Sequence, residues 1–383
     1  MARPHRRVPC ARAPGRHRHH TGRFRPHLRC AQGVRARTGS GPQHHRRGRS
    51  GTRHGGRRLG VRPRAPAAGE HRMKFAISGY GWAARMHAEA IRLAGHDVVG
   101  VSGPHDGRRG TFAAAHGCRV SSADTAEMLT ESGADALVVC TPNAIHTADA
   151  LAAVDAGVHV LVEKPVTVTM EECEALAVRA AAQSVTVGVG HMWRHRTEVI
   201  ALRDRVATGD LGRVVRTHGW GVHAGWGPSG WFTDPVLAGG GALIDMGIHA
   251  IDTARFLIGD PEPVRVTASI GFGEFSDTVV DDDGIVVIDW DNGVRSVVEF
   301  GWWQPVLGGL EADTRIHGTG GSAQIWPDFT SYGPHYQHCS VGMYTEQIRD
   351  FVEACRTGRD PIGSLAVGRT ALAIVRDAYA AAR

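Results

Sequence analysis

The chain has 383 residues and a formal net charge of +6, but this charge is unevenly distributed. Residues 1–72 contain 20 arginines and a single acid, Glu70, whereas residues 73–383 carry 24 basic and 37 acidic side chains, a net charge of −13. An acidic body argues against nucleic-acid binding by residues 73–383, and no apolar run reaches the length of a membrane-spanning helix.

The N-terminal segment, residues 1–72, is rich in Arg, His, Gly and Pro and has hardly any aliphatic periodicity. Such a segment buries too little apolar surface to offset the entropy of ordering, so we expect it to be disordered. It lacks the features of secretion and transit peptides. Two interpretations are open: a basic arm that binds nucleic acid, or translated sequence upstream of a start at Met73. The second is favoured because a predicted strand begins directly after Met73.

Short apolar strands alternate with helical segments over residues 73–193. The predicted strands are 74–78, 97–102, 118–122, 135–141, 159–165 and 185–190. The predicted helices between them are 83–95, 108–117, 122–133, 146–157 and 169–183. Continuous apolar strands that alternate with helices predict a parallel sheet covered on both faces.

The pattern changes after residue 193. Helices are predicted at 197–209, 239–259, 345–358 and 366–382, and strands at 213–223, 264–272, 284–290, 294–303 and within 314–326. The strands from residue 264 onward alternate with a period of two, and Asn292-Gly293 suits a type I′ hairpin turn. We therefore predict that residues 194–383 form an α+β domain with a mostly antiparallel open sheet.

The glycine-rich sequence GYGWAA, residues 79–84, lies between the first predicted strand and the first predicted helix. Its first glycine permits a tight turn, and its second lets the backbone approach a pyrophosphate at the helix N-terminus. The alternative is an ordinary turn, but its position at the start of a strand–helix series favours a Rossmann dinucleotide-binding domain over residues 73–193. The predicted cofactor-binding residues of this loop are Gly79, Tyr80, Gly81, Trp82 and Ala83.

The end of the second strand lacks the acid that usually binds the ribose 2′-hydroxyl of NAD. Ser102 and Gly103 stand there, Asp106 comes too late, and Arg108 and Arg109 follow. Arginines without a carboxylate suit a 2′-phosphate, although they also suit a solvated helix start. The cofactor is therefore predicted to be NAD or NADP, with NADP slightly favoured, and Ser102 and Arg108 are predicted to contact it.

Lys164 is unusual because the chain contains 42 arginines and only one other lysine, Lys74. It lies in the sequence EKP at the C-terminal end of a predicted strand, the edge at which doubly wound sheets bind ligands. Desolvation lowers the pKa of an ammonium, whereas a guanidinium keeps its proton near neutral pH. This contrast predicts that Lys164 handles a proton, and the alternative is a surface or loop-capping lysine.

Asp245 and His249 are four residues apart in the predicted helix 239–259, with Asp252 three residues further on. This spacing places them on one helical face, where a carboxylate can hold an imidazole in the tautomer of a general base. An Asp/His metal pair is disfavoured because no third and fourth ligand stands out. A third possibility is an Asp near a helix N-terminus and a hydrogen-bonded core histidine.

Four motifs occur in a specific order: the glycine loop, TPNxxH at 141–146, EKP at 163–165 and GGGxLxDxGxHxxD at 239–252. Through them residues 73–383 resemble the Gfo/Idh/MocA oxidoreductases, relatives of glucose–fructose oxidoreductase and inositol dehydrogenase. The resemblance implies an NAD(P)-dependent enzyme acting on a sugar, cyclitol or similar polyhydroxylated substrate. It also implies a homodimer or homotetramer, because the open sheet of the second domain often forms oligomer contacts in this family.

The resemblance also implies residue roles. His249 would take the proton of the substrate hydroxyl, Lys164 would hydrogen-bond to that hydroxyl and help relay the proton, and Asp245 would orient the site. The cofactor would be lined by Thr141, Pro142, Asn143, His146, Glu163 and Lys164. The segment GHMWRHR is similar to the family's substrate stretch, which would place Met192, Trp193 and Arg194 near the substrate, together with Asp245 and His249.

Other functional alternatives are redox-assisted glycoside cleavage with retained NAD and a non-catalytic nucleotide-binding regulator. The complete Lys/Asp/His set favours an enzyme, since a sensor has no need of it. Tryptophans at 220–232 either stack on a sugar or pack as an ordinary loop.

The five cysteines of the body form neither a zinc-finger nor a CxxC pattern, which is typical of a reduced, cytoplasmic protein. They are Cys118, Cys140, Cys173, Cys339 and Cys355.

Overall fold

Two six-stranded sheets form the framework of the computed structural model, which describes residues 72–223, 229–274, 278–302, 312–325 and 340–382. The predicted disordered extension, Cys339 and the middle of the tryptophan-containing loop lie outside the described residues.

The first sheet is parallel throughout and has the strand order β3-β2-β1-β4-β5-β6. Its strands are β1 (Lys74–Ser78), β2 (Asp97–Ser102), β3 (Val120–Ser122), β4 (Ala136–Val139), β5 (His159–Val162) and β6 (Val187–Val189). The direction of strand addition reverses between β1 and β4, and doubly wound sheets bind ligands at such a switch point. This sheet is the predicted Rossmann architecture.

The helices of this region start and stop at local signals in the sequence. They are α1 (Trp82–Leu93), α2 (Asp106–His116), α3 (Thr125–Ser132), α4 (His146–Asp155) and α5 (Met170–Gln183). Thr169 and Glu172 form a reciprocal capping box at the start of α5. Gly117 and Gly133 end α2 and α3 in the left-handed conformation. The helices cover the sheet on both faces, so Phe75, Ala76 and Ile77 of β1 are fully buried.

The second sheet has the strand order β12-β11-β7-β10-β9-β8, in which only the β7–β10 pair is parallel. Its strands are β7 (Val214–Val222), β8 (Pro263–Phe272), β9 (Asp281–Trp290), β10 (Arg295–Gly301), β11 (Ala312–Gly318) and β12 (Gly321–Gln324). The remaining helices are α6 (Thr197–Ala207), α7 (Pro235–Ala238), α8 (Ile248–Leu257), α9 (Ser340–Thr357) and α10 (Leu365–Ala381). The mostly antiparallel second sheet is as predicted.

The hairpin between β9 and β10 differs from the predicted type I′ turn, which requires positive φ at both central residues. Gly293 has φ of 80°, but φ of Asn292 is negative. The amide of Gly293 donates to the carbonyl of Trp290 at 3.0 Å. Asp291 and Asn292 therefore form a type I turn that a left-handed glycine follows, and the type I′ prediction was wrong.

Helix α9 packs on the first sheet, although it lies near the C-terminal end of the chain. Its Ile348 and Phe351 belong to the same buried cluster as Phe75 and Ile77 of β1. The ring centroids of Phe75 and Phe351 are 6.5 Å apart. Helix α9 therefore contacts strands on both sides of the predicted division at residue 193. Helical periodicity reveals an apolar face but not the sheet that covers it.

Two findings bear on membrane association and redox state. Over the residues that the structure describes, no helix is long and apolar enough to cross a membrane. Within those same residues the cysteines are free thiols, at Cys118, Cys140, Cys173 and Cys355.

Candidate active site

The glycine loop lies at the switch point between β1 and β4. Gly79 has φ of 93°, and a Cβ there would lie 2.5 Å from the carbonyl oxygen of Cys140. Gly81 precedes α1, has no atom within 4 Å of an added Cβ, and provides no side-chain cap. The first turn of α1 contains no acid. Open space beside an uncapped helix N-terminus fits the pyrophosphate of a dinucleotide, since the free N–H groups attract an anion.

The side chains at the end of β2 divide into buried and exposed groups. Ser102 is buried, and its hydroxyl lies 2.9 Å from that of Thr125. Arg109 turns inward and bonds to the carbonyl of Gly103 and to Asp106. Arg108 is exposed, and its guanidinium lies 5.6 Å from the centroid of the Tyr80 ring. Of the two arginines, only Arg108 is placed to contact a ligand at the glycine loop.

The residues predicted to line the cofactor after β4 and β5 gather at one sheet edge, but several use their polar atoms internally. The ring nitrogens of His146 lie 2.8 Å from the carbonyl oxygen of Pro165 and 3.0 Å from that of Thr141. The Asn143 amide donates to the carbonyl of Ala238 at 2.8 Å. These contacts join the TPN loop, which contains Pro142, to the EKP loop and to α7. The side chains of His146 and Asn143 therefore fix these loops in place.

Glu163 also uses its carboxylate within the protein. Its Oε1 lies 2.7 Å from Nε2 of His87 on α1, and its Oε2 accepts from the amide of Lys164 at 3.2 Å. Burial opposes ionisation, but the hydrogen bond from His87 holds the pKa of Glu163 below its ordinary value. Glu163 thereby ties α1 to the loop that presents Lys164.

A partly buried Lys164 and a buried Asp245 form an ion pair between the two sheets. The ammonium donates to the backbone carbonyl of Asp245 at 2.7 Å and to its Oδ1 at 3.1 Å. The other carboxylate oxygen, Oδ2, lies 2.7 Å from Nε2 of His223 and accepts from the indole of Trp302 at 3.1 Å. Burial opposes ionisation, but Lys164 and His223 hold the pKa of Asp245 well below its ordinary value.

Asp245 therefore does not hold His249 in place, and this part of the helical-face prediction was wrong. The residues around Asp245, Leu243–Gly247, form a π turn rather than an α-helical one. A wider turn changes the i,i+4 register on which the prediction depended. The carboxylate instead binds the three donors of Lys164, His223 and Trp302.

His249 remains a neutral imidazole in this site. Its side chain is buried, and Nδ1 has no hydrogen-bond partner. Burial, reinforced by the nearby Lys164 ammonium, holds the pKa of His249 well below its ordinary value. A neutral imidazole beside an ammonium can accept a proton from a substrate hydroxyl.

His223 and Trp302 were not singled out from the sequence. They follow β7 and β10 directly, and these two strands pair in parallel with Val222 opposite Gly301. The amide of His223 donates to the carbonyl of Gly301 at 3.1 Å. Only this strand pairing, which the sequence did not reveal, brings both side chains to Asp245.

The structure contradicts the substrate role predicted for Trp193 and Arg194. Arg194 is 1% exposed, and its Nε and Nη2 donate to Asp252 at 2.7–2.9 Å while Nη2 also reaches Asp260 at 2.7 Å. Trp193 is buried in a core cluster with Leu202. A buried guanidinium with two carboxylates is a structural ion pair, so neither side chain is available to a substrate. Met192, which follows β6, is only partly buried.

The predictions about a metal site and about the tryptophan-containing loop can be compared only with the described residues. No group of three or more His, Cys, Asp or Glu side chains suited to a metal occurs in the part of the chain that the structure describes. In the tryptophan-containing loop, Trp220 is buried, and Trp231 stacks on Phe232 with ring centroids 4.0 Å apart. Trp226 lies outside the described residues.

A parallel sheet with an open helix N-terminus at its switch point, together with a lysine–imidazole site, is typical of a dinucleotide-dependent oxidoreductase. Residues 73–191 match the model of the oxidoreductase family with an NAD-binding Rossmann fold, and residues 199–324 match the GFO/IDH/MocA C-terminal domain. The chain is 31% identical over 238 residues to 1,5-anhydro-D-fructose reductase of Ensifer adhaerens, covering 61% of this chain and 69% of the relative. It belongs to the Gfo/Idh/MocA family, which confirms the resemblance.

Other relatives cover more of the chain. Scyllo-inositol 2-dehydrogenase (NAD(+)) of Bacillus subtilis is 27% identical over 319 residues, which are 76% of this chain and 89% of the relative. Among solved structures, GenD2 from gentamicin A biosynthesis, in complex with NAD, aligns with a TM-score of 0.76 and 26% identity. That alignment covers 84% of this chain and 97% of GenD2. The predicted two-domain α/β fold and the enzyme class are confirmed.

Proposed function

We propose that the protein transfers hydride between a nicotinamide cofactor and a carbinol or carbonyl carbon of a sugar, cyclitol or related polyol. The observation that carries this proposal is the Lys164 ammonium, bound to Asp245 and close to the neutral imidazole of His249. The bound nicotinamide would accept or supply the hydride. The side chains of this protein would position the substrate and move its hydroxyl proton.

Lys164 would bind the reacting oxygen. An ammonium has three N–H donors, and Asp245 accepts two of them, through its backbone carbonyl and Oδ1. The third donor would point to the substrate hydroxyl and stabilise negative charge as it develops on that oxygen. Because Asp245 is itself held by His223 and Trp302, the ammonium has a fixed position.

His249 would be the proton acceptor in the direction of alcohol oxidation. Its Nδ1 is buried without a partner, whereas its Nε2 is not among the buried unpartnered atoms. Nε2 is therefore the nitrogen that a substrate can reach. The neutral state of the imidazole keeps this acceptor available at neutral pH.

The cofactor would bind with its pyrophosphate on α1, beside Gly79 and Gly81. We propose that it is NADP rather than NAD. Two observations support this. The exposed Arg108 lies over the Tyr80 ring, and the end of β2 has Ser102 and Gly103 where an NAD site usually has an acidic residue. An arginine can form charge-assisted, bidentate hydrogen bonds to a 2′-phosphate, whereas the neutral 2′-hydroxyl of NAD offers it only a weaker acceptor.

The proposed function is tested with a panel of sugars, inositols and amino-sugar derivatives. Oxidation and reduction are followed at the nicotinamide absorbance with NAD and NADP separately. We expect turnover of at least one polyol class, with higher kcat/KM for NADP than for NAD. A clear preference for NAD would refute the cofactor proposal alone. Absence of turnover on the whole panel, with cofactor bound, would refute the substrate class.

We further propose a homodimer or homotetramer that uses the open face of the second sheet. On this face Val287 lies opposite Val297, and Ile285 is exposed. The alternate residues Val286 and Val298 are fully buried on the other face. A solvated face of this kind is well suited to a second copy of the chain.

The assembly is tested by light scattering on the purified protein and on Val287→Glu. We expect the unmodified chain to have two or four times the mass of a monomer. The introduced carboxylate should shift the protein toward smaller species, because it would be desolvated without a partner. A monomeric mass for the unmodified chain at micromolar concentration would contradict the proposal.

A further inference from the structure

His191 is a buried histidine that the proposed mechanism does not use. It follows β6, is 1% exposed, and neither ring nitrogen has a hydrogen bond. Its Nδ1 lies 3.4 Å from Oδ2 of Asp252, close to but outside hydrogen-bond geometry. Buried polar groups without partners cost free energy, so such a group requires an explanation.

His249 also has a ring nitrogen that lacks a hydrogen bond. Its Nδ1 is buried and has no hydrogen-bond partner. Asp252 follows His249 by three residues on α8, so the two side chains are neighbours on one helical face. The His191 ring lies 3.4 Å from Asp252, and it is close enough to His249 to act on it electrostatically. Two interacting imidazoles therefore both contain buried nitrogens without a hydrogen-bond partner.

Donor and acceptor counts show how these nitrogens can satisfy each other. A neutral imidazole has one N–H donor and one acceptor nitrogen. If Nε2 of His249 is to accept the substrate proton, its Nδ1 must carry the hydrogen. If the nearby Asp252 carboxylate keeps the hydrogen of His191 on Nδ1, Nε2 of His191 is an acceptor. The donor that remains is Nδ1–H of His249, and the acceptor that remains is Nε2 of His191.

We infer that His191 is a positioning residue for His249: its Nε2 accepts, through one bridging water, a hydrogen bond from Nδ1–H of His249, while the carboxylate of Asp252 keeps the other His191 nitrogen protonated. This arrangement sets the His249 tautomer in which Nε2 faces the substrate. It also stabilises the imidazolium that forms when His249 takes the proton. The inference rests on the proposed function, because it assigns the proton acceptor to His249.

The surroundings of His191 are consistent with a neutral ring. The charged and titratable groups that interact with it are Asp252, Arg194, Glu163, Lys164 and His249. Burial lowers the pKa of His191, and the nearby Asp252 carboxylate does not reverse this. A neutral ring keeps one nitrogen as an acceptor, as the proposed hydrogen bond requires.

The test compares His191→Phe with His191→Gln in the full chain, using a substrate identified from the panel. Phenylalanine removes both nitrogens, whereas glutamine keeps one acceptor and one donor group. We expect His191→Phe to lower kcat about 10- to 100-fold with little change in KM, the range seen when groups that orient a reactive ligand are removed. His191→Gln should retain most of the activity.

The pH profile provides a second readout that a packing role would not change. The oxidation rate requires neutral His249, so it falls on the acid side as that ring is protonated. Removing the acceptor at His191 destabilises the imidazolium of His249. The acid limb should therefore move to lower pH in His191→Phe and should stay in place in His191→Gln.

His195→Phe is the matched control, because His195 is a buried histidine in the same short segment. Its kcat and pH profile should equal those of the unmodified protein. Unchanged kcat and acid limb in His191→Phe would overturn the inference, as would equal losses in the Phe and Gln variants. If His191→Phe does not fold, His191→Leu takes its place with the same expectations. Near-normal turnover in His249→Ala would instead refute the proposed proton acceptor itself.

Discussion

Replacement of Lys164 by arginine is expected to lower kcat by about 10²- to 10⁴-fold, although the positive charge is kept. The ammonium is partly buried and donates to two oxygens of Asp245. A planar guanidinium is larger, cannot reproduce this geometry, and holds its proton near neutral pH. Lys164→Ala should lose at least as much activity, because it also leaves the buried carboxylate of Asp245 without its cation.

Steady-state rates with a panel substrate measure this loss, and nucleotide fluorescence titration measures cofactor affinity. We expect cofactor binding to survive in both variants, because the pyrophosphate site on α1 does not involve Lys164. Lys74→Arg is the control, since Lys74 is the only other lysine and is exposed on β1. Its turnover should be unchanged. Near wild-type turnover in Lys164→Arg would falsify the claim that a lysine is required.

Replacement of His249 by alanine is expected to lower kcat for alcohol oxidation by about 10²- to 10⁴-fold, the usual contribution of a general base. The unmodified enzyme should show a characteristic pH dependence. Burial and the Lys164 ammonium hold the pKa of His249 well below its ordinary value. The ring therefore stays neutral as the pH falls from 7 through 6.5. The oxidation rate attributable to this group should remain on its plateau over that interval.

Rates measured from pH 8 downward test this expectation, with stability monitored at each pH. The acid limb should lie clearly below 6.5, and it should disappear from the residual activity of His249→Ala. His116→Ala, at the end of α2, is the control and should keep the normal profile. An acid limb of the unmodified enzyme at 6.5 or above, assigned by its loss in His249→Ala, would contradict the neutral buried imidazole.

Local patterns were sufficient to predict the framework and the position of Lys164. Continuous apolar strands between short helices predicted the parallel sheet, because only a sheet covered on both faces buries such strands. The glycine loop and the EKP sequence each follow a strand, and parallel strands bring their C-terminal ends to one edge. The predicted helix 169–183 also agrees with α5, Met170–Gln183, and a capping box of Thr169 and Glu172 fixes the start of this helix. These features depend on neighbouring residues, which a sequence displays directly.

The partners of the charged side chains depended on residues distant in the chain. Asp245 looked like the partner of His249 because helical spacing is local, yet a π turn and the pairing of β7 with β10 gave it His223 and Trp302 instead. Arg194 looked available to a substrate until α8 supplied Asp252.

The same distinction applies to α9, whose apolar face was evident although the sheet that it covers was not. The sequence by itself determined which residue types stand at strand ends and helix faces. The tertiary structure decided which of them meet, because a hydrogen bond or ion pair forms only where strand register and helix packing bring two groups within about 3 Å.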